Sequence, residues 1–132
     1  MLSLKTMSQV KIIECPRDAM QGIKTHFIST EDKANYINAL LRVGFDSIDF
    51  GSFVSPKAIP QMQDTAEVLA QLDLSQTNSK LLAIIANTQG AIAASEHKEI
   101  QYLGFPFSIS ENFQMRNTHK TIEESLVTLN EI

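Results

Sequence analysis

The apolar run Lys80–Ala86, K-L-L-A-I-I-A, is the feature that most constrains the fold of this chain. Its apolar residues follow one another without the apolar–polar alternation of a half-buried strand. Unbroken runs of this kind are typical of strands that are covered on both faces, as in parallel sheets. The run therefore predicts an α/β fold with a parallel sheet at its centre.

The remaining residues alternate between strand and helix patterns. Strands are predicted at Val10–Cys15, Ser47–Gly51, Lys80–Ala86 and Ile100–Phe105. Helices are predicted from a cap at Ser29 or Thr30 to Gly44, and at Asp64–Gln71, Gly90–His97 and Thr121–Ile132. Polar loops are predicted at Pro16–Ile28, Ser52–Met62 and Ser108–Asn117. This βαβαβαβα order implies parallel strands joined by right-handed crossovers.

Four βα units of this kind fit either a small open doubly wound sheet or half of an eight-unit barrel. The residues after the first strand, C-P-R-D-A-M-Q (15–21), match neither G-x-G-x-x-G nor G-x-x-x-x-G-K-[ST]. These glycine-rich patterns mark the phosphate-binding turn of doubly wound sheets. Their absence removes the commonest reason to expect the open sheet.

Composition limits the class of protein. The 132 residues are 43% hydrophobic and 20% charged, which predicts one globular domain at residues 10–132 after a polar leader at residues 1–9. The net charge of −4 argues against a nucleic-acid partner. No apolar run of about 18 residues occurs, so we expect no membrane span and no membrane partner. A single cysteine, Cys15, excludes an internal disulfide and fits a reducing compartment, which predicts a soluble cytoplasmic protein.

Arg17 and Asp18 stand side by side where the first predicted strand stops at Pro16. Proline cannot continue a central strand, so we expect the pair at the carboxyl end of the strand, where parallel α/β folds assemble their sites. A cation beside a carboxylate suits a divalent metal together with an anionic substrate oxygen. The alternative is an inert surface ion pair, because such pairs are common.

Four motifs occur in order at the predicted strand ends: V-K-I-I-E-C-P-R-D-A-M-Q (10–21), S-I-D-F-G-S-F-V-S-P-K-A-I-P-Q-M (47–62), A-N-T-Q-G (86–90) and S-E-N-F-Q-M-R-N (110–117). Together they resemble the N-terminal half of the hydroxymethylglutaryl-CoA lyases, which belong to the DRE-TIM metallolyases. The resemblance covers nearly the whole chain after residue 9 and implies the first half of a TIM (β/α)8 barrel. Its most specific part, the S-F-V-S-P-K loop, argues against the alternative of a related barrel aldolase or acyl-CoA condensing enzyme.

The resemblance implies a retro-aldol (Claisen-type) cleavage of 3-hydroxy-3-methylglutaryl-CoA, a CoA thioester, to acetyl-CoA and acetoacetate. It implies a divalent metal, Mg²⁺ or Mn²⁺, with Asp18 as a ligand. It places Arg17, as a catalytic and substrate-binding residue, beside the enolate oxygen of the developing acetyl-CoA. Asp49 stands where the second strand of these lyases usually ends in a glutamate, and we expect this catalytic candidate either to support the metal site or to pair with Arg17.

Three further polar residues are candidates for binding the substrate. Gln21 could donate to a substrate carbonyl or only to its own loop. Ser52 could line the pocket or form a turn, and Asn87 follows the third predicted strand. Other polar side chains are expected at the surface rather than at CoA phosphates or a metal: Lys57, Arg116, Lys120, His26, His97 and His119.

The chain also departs from the family pattern. Cys15 and Ala19 replace the glycines that usually flank P-R-D. The other metal ligands of these lyases, an H-x-H and an asparagine, and their catalytic cysteine belong to a second half that the sequence does not contain. We therefore expect weak or absent metal binding, no cleavage by this chain alone, and a homo-oligomer formed through the exposed half-barrel edges. A non-catalytic half-barrel that acts as an interaction module is the alternative.

Overall fold

The computed structural model describes residues 9–132, so the predicted polar leader lies outside the described residues except for Gln9. Within them, the strands are β1 Ile13–Glu14, β2 Ser47–Ser52, β3 Lys80–Ile84 and β4 Ile100–Gly104. The helices are α1 Pro16–Gln21, α2 Thr30–Val43, α3 Thr65–Leu69, α4 Thr88–Ser95, α5 Glu111–Thr118 and α6 Ile122–Glu131. A short 3-10 helix at Pro60–Met62 precedes α3.

The strands form one parallel sheet in the order β1-β2-β3-β4, which confirms the predicted α/β fold class. β2 is buried at every position, as expected for an inner strand of a covered parallel sheet. β3, for which cover on both faces was predicted, instead alternates buried positions with half-buried ones at Leu82 and Ile84. The register is fixed by parallel pairs along the sheet: Ile13 with Ser47, Ser47 with Lys80, and Leu81 with Ile100. The carboxyl ends of the strands therefore point to the same edge.

The segment that follows β1 is a helix, so the predicted loop at Pro16–Ile28 is wrong in its first part. α1 begins at Pro16, where a missing N–H costs nothing because the first turn of a helix has no acceptor for it. β1 is correspondingly shorter than the predicted strand Val10–Cys15. Six residues are too few to show a helical period, but Met20 is buried and packs α1 against the core.

The predicted loop at Ser108–Asn117 is also wrong, because α5 occupies most of it. Ser110 caps the helix by accepting from the backbone N–H of Phe113 at 3.4 Å. The buried residue of α5 is a glutamine: Gln114 Oε1 accepts from the N–H of Ser108 at 2.8 Å, and its Nε2 donates to Ser125 Oγ at 2.6 Å. A helix that is anchored by polar groups shows no apolar period in its sequence.

α2 lies as the sequence predicts. The Ser29 hydroxyl accepts from the N–H of Asp32 at 3.0 Å, and Gly44 ends the helix in the left-handed region with φ 86°. Ile37 and Leu41 are buried in one cluster with the inner faces of β2 and β3. With 14 residues α2 is the longest helix described, and no helix among residues 9–132 is both long and apolar enough to cross a membrane.

α6 turns a polar face inward. Ser125 and Thr128 are buried, whereas Leu126 and Leu129 are 51% and 45% exposed. Thr121 starts the helix with a capping box. The apolar side of this helix therefore has little cover among the described residues.

Candidate active site

Arg17 and Asp49 form a two-pronged ion pair between α1 and β2. Arg17 Nε lies 3.1 and 3.2 Å from the two carboxylate oxygens of Asp49, and Nη2 lies 2.5 Å from Oδ2. Their side chains are 13% and 6% exposed. Of the two roles expected for Asp49, the structure shows the pairing with Arg17. This planar fork holds the guanidinium in one orientation.

The charge of Arg17 is permanent. Burial alone would lower the pKa of the guanidinium, but the hydrogen bonds and the charge of Asp49 outweigh burial and raise it above its ordinary value. The charge of Asp18 acts in the same direction. The site therefore offers a fixed cation over the whole range of physiological pH.

Asp18 and Gln21 complete a cluster on one turn of α1, where residues three and four apart are neighbours. Arg17 Nη1 donates to Asp18 Oδ1 at 3.2 Å and to Gln21 Oε1 at 2.9 Å, and Gln21 Nε2 donates to Asp18 Oδ1 at 2.9 Å. The Asp18 side chain is 66% exposed. We call Arg17, Asp18, Gln21 and Asp49 the Arg17 cluster.

The Arg17 cluster borders a cavity of about 710 Å³. Arg17, Asp18 and Gln21 line one side of it. A second group of lining residues comes from the end of α5 and the turn into α6: Asn117, Thr118, His119 and Lys120. The space is large enough for a small substrate group, and a fixed cation and an exposed carboxylate stand at its wall.

The sequence does not predict this second group as site residues. It predicts Lys120 and His119 at the surface and Asn117 in a loop. The signal available was the motif S-E-N-F-Q-M-R-N (110–117), which follows β4 and so belongs to the same sheet edge as Arg17. Of the three cations considered for anions, only Lys120 lines this cavity; Lys57 and Arg116 do not.

Ser52 and Asn87 do not join the Arg17 cluster. Both line a separate cavity of about 410 Å³ that does not include Arg17. Ser52 Oγ accepts from the N–H of Val54 at 3.2 Å, which is the turn-forming role. Asn87 Oδ1 accepts from the N–H of Gly90 at 2.9 Å and so caps α4. In this structure their side chains organise the backbone at the strand ends.

A divalent ion would find few ligands in this part of the chain. Residues 9–132 contain no group of three or more histidine, cysteine, aspartate or glutamate side chains that could hold a metal. Asp49 is committed to Arg17, which leaves Asp18 as the exposed carboxylate of the site. Because such ions take about six ligands, an ion at Asp18 would need further ligands from water or from outside the described residues.

Comparison with known proteins identifies the fold to which this site belongs. No protein-family model matches the chain. The chain is 39% identical over 120 residues to the mitochondrial hydroxymethylglutaryl-CoA lyase of Macaca fascicularis, covering 89% of this chain and 35% of the relative. It is 36% identical over 121 residues to the 3-hydroxy-3-isohexenylglutaryl-CoA/hydroxymethylglutaryl-CoA lyase of Pseudomonas aeruginosa, covering 89% and 39%.

Solved structures of hydroxymethylglutaryl-CoA lyases also superpose on this chain. The hydroxymethylglutaryl-CoA lyase of Bacillus subtilis superposes with a TM-score of 0.85 at 34% identity, over 94% of this chain and 41% of that one. That of Acinetobacter baumannii, in complex with coenzyme A and 3-methylmalate, superposes with a TM-score of 0.82 at 33% identity, over 92% and 39%.

The chain is similar to one part of a hydroxymethylglutaryl-CoA lyase. This confirms the resemblance drawn from the four motifs and the predicted TIM-barrel type of βα units. The chain spans only about 35–41% of the length of the lyases just described. Some of these lyases are named mitochondrial and others cytoplasmic, so the cytoplasmic location stays a prediction.

Proposed function

We propose that this chain carries one side of the active site of a carbon–carbon lyase that cleaves 3-hydroxy-3-methylglutaryl-CoA to acetyl-CoA and acetoacetate. The observation that carries the proposal is the orientation of Arg17. Arg17 donates from Nε and through one Nη2 hydrogen to Asp49, and from Nη1 to Asp18 and Gln21. Among residues 9–132 the second Nη2 hydrogen has no acceptor, and the guanidinium borders the cavity.

A fixed cation is what this reaction needs. The proton of the 3-hydroxyl group leaves, the carbon that bore it becomes the ketone of acetoacetate, and the bond to the neighbouring carbon breaks. Its electron pair moves onto the thioester carbonyl as the enolate of acetyl-CoA, which is then protonated on carbon. Arg17 would stabilise the enolate oxygen in a site where Asp49 has already fixed the orientation of the guanidinium.

Asp18 is proposed as one ligand of a divalent ion, Mg²⁺ or Mn²⁺, and Gln21 as a donor to the substrate. The described residues supply too few further ligands, so we expect the 132-residue chain to bind Mn²⁺ in the millimolar range or more weakly. Titration calorimetry measures this directly. A micromolar dissociation constant that is abolished by Asp18→Ala would mean that the chain forms a complete site.

A chimera provides the test of the proposed reaction. Residues 9–132 would replace the matching segment of the Bacillus subtilis lyase, and acetoacetate release would be measured for the chimera and for the chain alone. We expect turnover by the chimera and none by the chain alone. Arg17→Lys, which keeps the charge but loses the fork, should lower kcat about a hundredfold or more.

Arg42→Lys is the matched control, because Arg42 is an exposed arginine on α2. Its kcat should equal that of the unmodified chimera. An inactive but folded chimera, or an Arg17→Lys chimera with full activity, would contradict the proposal. The first result would favour a non-catalytic half-barrel that acts as an interaction module.

We also propose that the 132-residue chain on its own forms a homo-oligomer through the edges of its sheet. On the β1 side Val10 and Ile12 are 84% and 60% exposed, and on β4 Tyr102 and Leu103 are 40% and 42% exposed. Because β1 and β4 run in the same direction, β4 of one copy can pair in parallel with β1 of a second copy. Light scattering should give at least a dimer, and Leu103→Lys should reduce the mass. A concentration-independent monomer would contradict this.

A further inference from the structure

Gln61 makes an unusual set of contacts at the end of the loop after β2. Its side chain is buried, with 4% of the residue exposed, and within the described part of the chain its hydrogen bonds all go to the segment between α1 and α2. Nε2 donates to the carbonyls of Ile23 at 2.8 Å and His26 at 2.6 Å, and Oε1 accepts from the N–H of Ile28 at 3.1 Å. Both amide hydrogens and the amide oxygen are therefore used to hold one stretch of backbone.

The backbone of Gln61 is held by Lys33, a buried residue of α2. Lys33, which is 2% exposed, donates from Nζ to the Gln61 carbonyl and to Asp64 Oδ1. The second oxygen of Asp64 accepts from Thr30 Oγ1 at 2.7 Å. The main chain of Gln61 is therefore fixed by Lys33 on α2, and its side chain binds the segment after α1.

This segment is continuous with the Arg17 cluster. Ile23, the first residue bonded by Gln61, lies two residues after Gln21 and donates from its N–H to the Met20 carbonyl at 3.0 Å. α1 has only six residues, and its buried residues are Pro16 and Met20. A helix this short is not stable alone, so its position depends on what holds its ends.

We propose that Gln61 is a positioning residue for the Arg17 cluster. It does not line the cavity. It acts by tying the carboxyl end of α1 to the loop after β2, and so keeps Arg17 and Gln21 at the cavity wall with the guanidinium against Asp49. The placement of α1 can be tested on this chain alone, whereas an effect on turnover rests on the function proposed above.

The first test reads the Arg17–Asp49 bond directly. Proton–nitrogen correlation spectra of the 132-residue chain would follow the Nε–H signal of Arg17, identified by its loss in Arg17→Lys. In Gln61→Met, which keeps the length of the side chain but removes its three hydrogen bonds, the Nε–H should exchange with water about tenfold faster. Gln63→Met, at the exposed neighbour, should leave the rate unchanged.

A variant that merely loosens the fold serves as the second control. Ile37→Val removes a methylene from the core on α2 but leaves the three side-chain hydrogen bonds of Gln61 in place, and it should reduce stability without changing the Arg17 exchange rate. If Gln61→Met does not fold, Gln61→Glu keeps the acceptor and loses both donors, and it should give the same faster exchange. An unchanged rate in the folded Gln61 variants, or equal acceleration by Ile37→Val, would overturn the proposal.

The second test uses the chimera. Gln61→Met should lower kcat about tenfold with little change in KM, because Gln61 does not line the cavity and the expected loss lies in the orientation of Arg17. Equal kcat in Gln61→Met and Gln63→Met would overturn the catalytic part. A chimera that is inactive with all wild-type residues would count against the proposed function alone, since the exchange rates still decide the placement of α1.

Discussion

Among residues 9–132, two ion pairs lie away from solvent, Arg17 with Asp49 and Lys33 with Asp64, and they differ in what surrounds the cation. Lys33 Nζ is enclosed by Asp64 Oδ1 at 2.6 Å, by the Gln61 carbonyl and by a phenylalanine ring whose centroid is 3.9 Å away. Arg17 borders a cavity and keeps one donor without an acceptor among the described residues.

The difference shows how each pair could be used. An ammonium has three donors; Lys33 Nζ bonds two oxygen acceptors and lies over the Phe27 ring, so this cation has little left to offer a ligand. A guanidinium has five donors in a plane, so Asp49 can fix Arg17 through one edge while another edge stays available. Burial and charge alone do not distinguish a structural pair from a site; the uncommitted donors do.

The largest effect should follow from removing the enclosed cation. Lys33→Met leaves Asp64 buried without its partner, and we expect a loss of about 3–5 kcal/mol in the free energy of unfolding. Urea denaturation of the 132-residue chain measures it. Lys24→Met, at an exposed lysine, should change the free energy by less than about 0.5 kcal/mol. A loss for Lys33→Met no larger than that control would mean that the pair is not structural.

Breaking the pair at the cavity should cost less. Asp49→Asn removes the charge that holds Arg17, but Arg17 keeps its contacts with Asp18 and Gln21 and can gain water from the cavity. We expect a loss of about 1.5–3 kcal/mol, the range for hydrogen bonds to charged groups. The same urea experiment compares the two variants. A loss for Asp49→Asn above that for Lys33→Met would reverse the assignment of the two pairs.

The sequence predicted the sheet well because its signals are local. The run at Lys80–Ala86 and the cap and stop of α2 are written in consecutive residues, and the structure has them at or near those positions. α1 escaped prediction because six residues cannot display a period of 3.6. α5 escaped because the side chain that anchors it, Gln114, is polar. Sequence patterns therefore miss helices that are too short to show a period or that are anchored by a polar side chain.

In the candidate site, too, residues that are adjacent in sequence were predicted better than contacts between distant residues. Arg17 and Asp18 were found because the P-R-D motif places them together. The pairing of Arg17 with Asp49, 32 residues away, was one of two roles expected for Asp49, and only the tertiary structure decides between them. Lys33 was missed although it shares a helical face with Ile37 and Leu41, because charged residues are usually exposed. A lysine on the apolar face of a helix predicts a buried partner, and that signal was present.

The smallest effect uses Cys15 as a reporter beside the Arg17–Asp49 pair. Partial desolvation raises the pKa of the exposed Cys15 thiol above its ordinary value, and the charge of Asp49 raises it further while Arg17 lowers it. Asp49→Asn removes one of the raising charges, so the pKa of the thiol should fall. More thiolate is then present near neutral pH, and alkylation by iodoacetamide should be about two- to fivefold faster.

Asp46→Asn, just before the same strand, removes a carboxylate that does not act on Cys15 and should leave the rate unchanged. If Asp49→Asn leaves the rate of alkylation unchanged, the charge of Asp49 does not reach Cys15, and the pair is more shielded from its surroundings than its border on the cavity implies.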